Sequence, residues 1–176
     1  MEKKGVRRIA ILGAESTGKT SLCEALAEHY ETVWVPEYAR EYFNHSDIYN
    51  YTTDDLVAIA KKQLEIERAM QSIARRFLFS DTSLITLKIW ADLEFKNTPD
   101  FISEHLADIK YDHYLICNND LPWEKDEQRQ NKFSRELIFD MNRKEVQELS
   151  GNYSIIKGTE TERLKNAIEI IEGLKP

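Results

Sequence analysis

Short apolar runs alternate with longer stretches of helical periodicity along the whole chain of 176 residues. Arg8-Ile9-Ala10-Ile11-Leu12 has the length and β-branched content of a buried strand. Thr32-Val33-Trp34-Val35, closed by Pro36, predicts a second strand, and Phe77-Leu78-Phe79, ending at Ser80-Asp81-Thr82, a third. Tyr114-Leu115-Ile116-Cys117 and Tyr153-Ser154-Ile155-Ile156 predict a fourth and a fifth. The intervening segments repeat at helical spacing. From Ser21 to Tyr30 the spaced positions are Leu22, Ala25, Leu26 and His29. A long helix starting at Thr53 carries a stripe of Leu56, Ile59, Ala60, Gln63, Leu64, Glu67, Met70 and Ile73. Further helices are expected from about Ser83 to Phe95, after Thr98-Pro99, and from a Ser134 cap through Leu149 until Gly151 breaks the last. Thr159 with Glu162 forms a capping box for a C-terminal helix. Strands alternating with helices predict an α/β protein of three layers, a five-stranded parallel sheet covered on both faces. No repeat, linker or low-complexity tract interrupts the pattern, so residues 1–176 read as one domain.

Composition narrows the function classes. A content of 41% hydrophobic and 31% charged residues is ordinary for a globular chain, and the length suits one well-cored domain. The net charge of -7 argues against a nucleic-acid partner, whose phosphates demand a local Lys/Arg excess. The basic cluster Lys3, Lys4, Arg7 and Arg8 reads as the solvated start of a strand. The apolar run after it is too short for a signal peptide, and none reaches membrane-spanning length. Cys23 and Cys117 fall on a helix and a core strand, as buried thiols of a reducing compartment do, so a cytoplasmic protein is expected.

The first strand runs into Gly13-Ala14-Glu15-Ser16-Thr17-Gly18-Lys19-Thr20, which fits the phosphate-loop pattern G-x-x-x-x-G-K-[ST] between a strand and a helix. Gly13 and Gly18 let the backbone curl until successive N–H groups point inward at phosphate oxygens. Lys19 brings an ammonium to the β- and γ-phosphates, Thr20 offers a hydroxyl to Mg²⁺, and the helix opening at Ser21 adds its dipole. ATP and Mg²⁺ are therefore the expected ligands.

Other groups gather at strand ends, where sheets of this type carry function. Asp81 ends the third strand and could hold Mg²⁺, or simply cap the Ser83 helix. Glu37 follows the second strand and could orient a substrate hydroxyl or take its proton; a surface loop position is the alternative. Arg40 could reach a phosphate or pair with Glu41. From Glu124 to Lys132 nearly every residue is charged or amide-bearing, the composition of a surface lid, expected at about 122–134. Arg129, with Lys125 and Lys132 near it, could close over a transferring phosphoryl group or remain solvated. Trp34, Tyr38, Tyr42, Trp90 and Trp123 cluster near strand ends; some belong to the core, Trp34 within its buried strand the best candidate among them, and a pair facing a cleft would suit a flat cationic heterocycle.

The phosphate loop, the block Trp34-Val35-Pro36-Glu37-Tyr38-Ala39-Arg40-Glu41, the pair Asp81-Thr82, and Pro122-Trp123 followed by Asp126 and Arg129 together resemble the ribosylnicotinamide kinase domain of NadR-type proteins. The resemblance runs in order over nearly the whole chain. It implies a P-loop kinase fold and ATP-dependent phosphorylation of the 5′-hydroxyl of nicotinamide riboside. Glu37 and Asp81 would orient the acceptor hydroxyls. Trp34, Tyr38, Arg40, Trp123 and Asp126 would line the acceptor side, and the segment with Asp126 and Arg129 would be the lid. No His-x-Gly-His motif surrounds His29, His45, His105 or His113, so no nucleotidyl transfer is implied. Asn131-Lys132-Phe133-Ser134 lacks the Asp of a guanine-reading motif. A kinase for another small acceptor and a regulatory ATPase remain the alternatives.

Overall fold

The structure, a computed structural model, describes residues 5–124 and 133–174. Its strands are β1 (Arg7–Gly13), β2 (Trp34–Val35), β3 (Phe77–Asp81), β4 (His113–Cys117) and β5 (Tyr153–Ile156). They form one parallel sheet in the order β2-β3-β1-β4-β5. Around it lie α1 (Lys19–His29), α2 (Tyr38–Phe43), α3 (Thr53–Ile73), α4 (Leu84–Phe95), α5 (Asp100–Asp108), α6 (Arg135–Glu148) and α7 (Glu160–Gly173). Strand order runs outward in both directions from β1, so the crevice for a ligand opens at the carboxyl ends of β1, β3 and β4.

Side chains alternate across β1 and divide the core into two layers. Ile9 and Ile11 join Leu26, Phe77, Phe79 and Leu115 under α1 and α7. Ala10 and Leu12 join Leu56, Ile59, Leu84 and Ile116 under the helices α3 to α6. Both cysteines are buried and unbridged, and burial pushes the Cys117 thiol up to about 11.

Two buried polar knots stand within these layers. Glu67 of α3, 3% exposed, accepts from Arg8 Nη2 at 2.5 Å, Ser80 Oγ at 3.3 Å and Tyr111 OH at 3.0 Å. Arg163 of α7 donates to the carbonyls of Gly158 at 2.9 Å and Asn118 at 3.0 Å and pairs with Asp120. The Gly158 N–H in turn donates to Asp120 Oδ2 at 2.7 Å. This second knot fastens the loop after β5 to the loop after β4.

The elements depart from the sequence pattern in four places. The second strand pairs only over Trp34–Val35. Thr32 is diverted, because its hydroxyl donates to the Phe77 carbonyl at 2.8 Å and accepts from the Arg75 N–H at 3.0 Å. The segment after Pro36 coils into α2, a helix of 6 residues. Thr52 rather than Thr53 caps α3, in a box with Asp55, and the α3 stripe fades at its end, where Ile73 is 63% exposed. On α1 the buried face is Leu22, Cys23, Leu26 and Ala27, and His29 points to solvent.

Candidate active site

The phosphate loop leaves β1 at Gly13, whose φ of 144° lies outside the range that side chains favour. A Cβ there would meet the Cys117 carbonyl oxygen at 2.8 Å and Thr17 Oγ1 at 3.0 Å, so only glycine fits beneath the loop. Thr17 Oγ1 donates to the Ala14 carbonyl at 2.8 Å and closes the turn from inside. At Gly18, φ 74°, the chain reverses hand and α1 begins at Lys19. No side chain caps α1, which leaves its first N–H groups and the positive end of its dipole directed at the loop.

Lys19 reaches across the loop, with Nζ 2.7 Å from the Ala14 carbonyl. Thr20 Oγ1 donates to Asp81 Oδ2 at 2.5 Å. Asp81 is 1% exposed at the end of β3, while Ser83 caps α4 by accepting from the Ile85 N–H at 3.2 Å. The helix cap is thus Ser83, and Asp81 faces the phosphate loop. The adjacent Thr20 hydroxyl and Asp81 carboxylate fit Mg²⁺, which binds through one or two carboxylates together with substrate phosphates and water. Ser21 is exposed on α1, beyond the loop itself.

The loop opens into a cleft beside the sheet. Gly13 and Lys19 of the loop line it together with Glu37 and Arg40 after β2, Trp90 and Glu94 of α4 and Asn142 of α6. Phe43, Tyr51, Trp90 and Phe133 give it aromatic surface. Phe43 and Tyr51 meet edge to face at 5.6 Å, and Tyr51 lies 6.4 Å from Trp90. Burial, then the Glu94 carboxylate, raises the Tyr51 phenol above its ordinary value. Glu37 ends the turn after β2, and its Oε2 lies 3.5 Å from Arg40 Nε. That turn is held by the buried amide of Gln63, which accepts from the Tyr38 N–H at 2.8 Å and donates to the Pro36 carbonyl at 3.0 Å. Arg40 therefore pairs with Glu37, not with the Glu41 of the sequence pattern.

The aromatic candidates separate. Trp34 pairs in register with Phe79, so it shares the face under α1 and α7 and stands away from the cleft. Tyr38 packs on the other core layer, edge to face with Tyr42 at 6.3 Å, without lining the cleft. Trp123 is 42% exposed. Asp126 and Arg129, with most of the expected lid, lie outside the described residues. Phe43, Tyr51, Glu94, Phe133 and Asn142 carry no motif that marks them in the sequence. Arg135 is a further cation missed by pattern. Its Nη2 donates to the Leu121 carbonyl at 2.9 Å and the Ser16 carbonyl at 3.2 Å, tying the loop apex to the start of α6. Ser16 Oγ also donates to the Glu124 carbonyl at 3.1 Å.

A family model described as an AAA domain matches residues 8–163. The chain belongs to the AAA domain family. Within that family setting it is 30% identical over 149 residues to the trifunctional NAD biosynthesis/regulator protein NadR of Escherichia coli (strain K12), covering 82% of this chain and 34% of that protein. The chain thus spans about a third of the length of this curated relative. A crystal structure of NadR protein in complex with NR superimposes with a TM-score of 0.76 at 24% identity, over 96% of this chain and 49% of that one. Thymidylate kinase from Ehrlichia chaffeensis follows the same fold, with a TM-score of 0.59 at 14% identity over 95% of this chain and 99% of that one. The AAA domain described here is therefore a five-stranded P-loop fold of the kinase type. Among the described residues no helix is long and apolar enough to cross a membrane.

Proposed function

We propose that this AAA domain is a nucleoside kinase that moves the γ-phosphoryl group of ATP to the 5′-hydroxyl of nicotinamide riboside, giving nicotinamide mononucleotide. One observation carries the proposal: Lys19 and Glu37 line the same cleft, so a phosphate-holding cation and a carboxylate suited to a hydroxyl share one opening. The similarity to NadR supports the same direction.

The loop N–H groups and Lys19 hold the β- and γ-phosphates and stabilise charge that builds as the phosphoryl group leaves. Thr20 and Asp81 would hold Mg²⁺, which would neutralise phosphate charge there. Glu37 accepts a hydrogen bond from the acceptor hydroxyl and aims its oxygen at the phosphorus. Phosphoryl transfer is mostly positioning and charge compensation, so this carboxylate need not be a strong base. Arg129 is assigned to closure over the reacting groups. Trp90, Tyr51 and Phe43 offer flat surface to the acceptor ring, and Glu37 and Glu94 favour a ring with a fixed positive charge.

The test is turnover by the pure protein with Mg-ATP and a panel of nucleosides. Nicotinamide riboside is expected to exceed uridine and cytidine in kcat/KM by at least about tenfold, since cation–π and Coulomb terms of roughly 1–3 kcal/mol separate a cationic from a neutral ring. Equal efficiency with all three would remove the nicotinamide assignment and leave a nucleoside kinase. Steady ATP hydrolysis with no nucleoside phosphorylated would favour a regulatory ATPase.

A further inference from the structure

One wall of the cleft carries a polar group for which phosphoryl transfer has no use. Asn142 of α6 lines the cleft and is 2% exposed. Its Nδ2 donates to the Ile138 carbonyl at 2.8 Å, one turn back along the helix. A carbonyl only accepts, so this contact fixes which way the amide points, with NH₂ toward Ile138 and Oδ1 away. Oδ1 is buried and has no hydrogen-bond partner among the described residues. Buried acceptors are nearly always paired, and one left open weakens the fold. Ile138, one turn before it, and Thr86, Ile89 and Trp90 of α4 line the same cleft, so the Asn142 side chain belongs to a wall that a bound ring would meet.

We propose that Asn142 determines acceptor specificity by accepting an N–H from the ring substituent, so that the site selects a carboxamide over a carboxylate or a ketone. The proposal rests on the nicotinamide riboside assignment for this cleft. A carboxamide donates one N–H to Oδ1. A carboxylate would set its lone pairs against Oδ1 in a cleft that already holds Glu37 and Glu94. A methyl ketone has nearly the shape of the amide but no proton to give, and would leave Oδ1 buried and unpaired. Sites that hydrogen-bond a substrate group reject analogues lacking it far more strongly than apolar pockets reject changes of size.

Calorimetric binding of three ligands tests this, in the presence of a non-hydrolysable ATP analogue: nicotinamide riboside, nicotinic acid riboside and 3-acetylpyridine riboside. The wild-type protein should bind the amide at least about tenfold more tightly than either of the others, one hydrogen bond's worth of discrimination. In Asn142→Leu both ratios should shrink to within about threefold, with a thermal midpoint no lower than wild type because the unpaired oxygen is gone. Equal binding of amide and ketone by the wild type overturns the proposal, as do unchanged ratios in a folded Leu variant. If that variant does not fold, Asn142→Ala takes its place, with the same shrinkage of both ratios expected and unchanged ratios again overturning the proposal. Turnover is scored separately. Amide selectivity in binding without phosphorylation would sink the kinase and keep Asn142, whereas phosphorylation without selectivity would do the reverse. Failure to bind any of the three overturns both.

Discussion

Eight consecutive residues, Gly13 to Thr20, make the phosphate loop, and much of what they offer a ligand is backbone N–H. The cleft on its far side is assembled from α2, the loop around Tyr51, α4 and α6, and offers side chains: Glu37, Trp90, Glu94 and Asn142. The loop is gripped from several directions, by Thr17 inside, Arg135 at its apex and the Cys117 carbonyl beneath Gly13. The cleft depends on packing between helices. A backbone site fixed by local geometry binds what all nucleotides share. A side-chain site gathered from distant segments can be retuned without disturbing the loop, and selectivity belongs there.

That division can be broken by mutation. Lys19→Ala removes a charge that acts on the transferring phosphates. Turnover should fall by about 100-fold or more with the acceptor KM changed less than about threefold. Near-normal turnover would end the assignment of the loop. Glu37→Gln keeps the shape but weakens the acceptor for the substrate hydroxyl, and kcat should fall by about 10- to 100-fold. A change confined to the ATP KM would place Glu37 with the loop instead of the cleft.

The two tryptophans sharpen the contrast. Trp90→Leu should raise the acceptor KM about 5- to 20-fold and leave the ATP KM unchanged, as expected for losing about 1–2 kcal/mol of ring contact. Trp34→Leu should leave both KM values alone and lower stability by about 1–2 kcal/mol, read from the denaturant midpoint. A KM effect at Trp34 would contradict its place under α1.

The smallest effect concerns His113, at the amino end of β4. Burial, then the charge of Arg7, lowers its pKa below the usual 6.5. The folded state therefore favours the neutral ring, and the associated stability is full above pH 6.5 and drains away as pH falls toward the folded pKa. His113→Gln should lose less stability than wild type between pH 7.5 and pH 5. Parallel losses in the two proteins would show that other groups set the acid limit.

Much of this architecture was legible because it is local. The Ser134 cap, the Thr159 and Glu162 box and the loop itself are written within a few residues. Strands β1, β3, β4 and β5 announced themselves as apolar runs. The second strand was overread, because Thr32 spends its hydroxyl on the neighbouring chain before pairing begins. The helix α2 was invisible to periodicity, since 6 residues hold fewer than two turns and its start is held by Gln63 from 25 residues away. The same distance effect hid the cleft. Glu37 and Asp81 could be named from strand ends, yet nothing near Trp90 or Asn142 says that they face one opening. Trp34 reads from its buried strand as core and from its proximity to Glu37 as acceptor side, and register with Phe79 decides for the core.

Glu67 has a consequence for how the sheet finds its alignment. The central strands are apolar on both faces, so a slip of one residue would exchange one oily surface for another and cost little through hydrophobic burial alone. The carboxylate of Glu67 recognises Arg8 on β1, Ser80 on β3 and Tyr111 just before β4. Sliding β1 or β3 by one position would turn Arg8 or Ser80 to the opposite face and strand a buried anion, a penalty of about 3–5 kcal/mol when the cation is lost. One acidic side chain thereby proofreads the alignment of three neighbouring segments, and with it the register that sets Asp81 beside Ile11, two residues before the phosphate loop leaves β1 at Gly13.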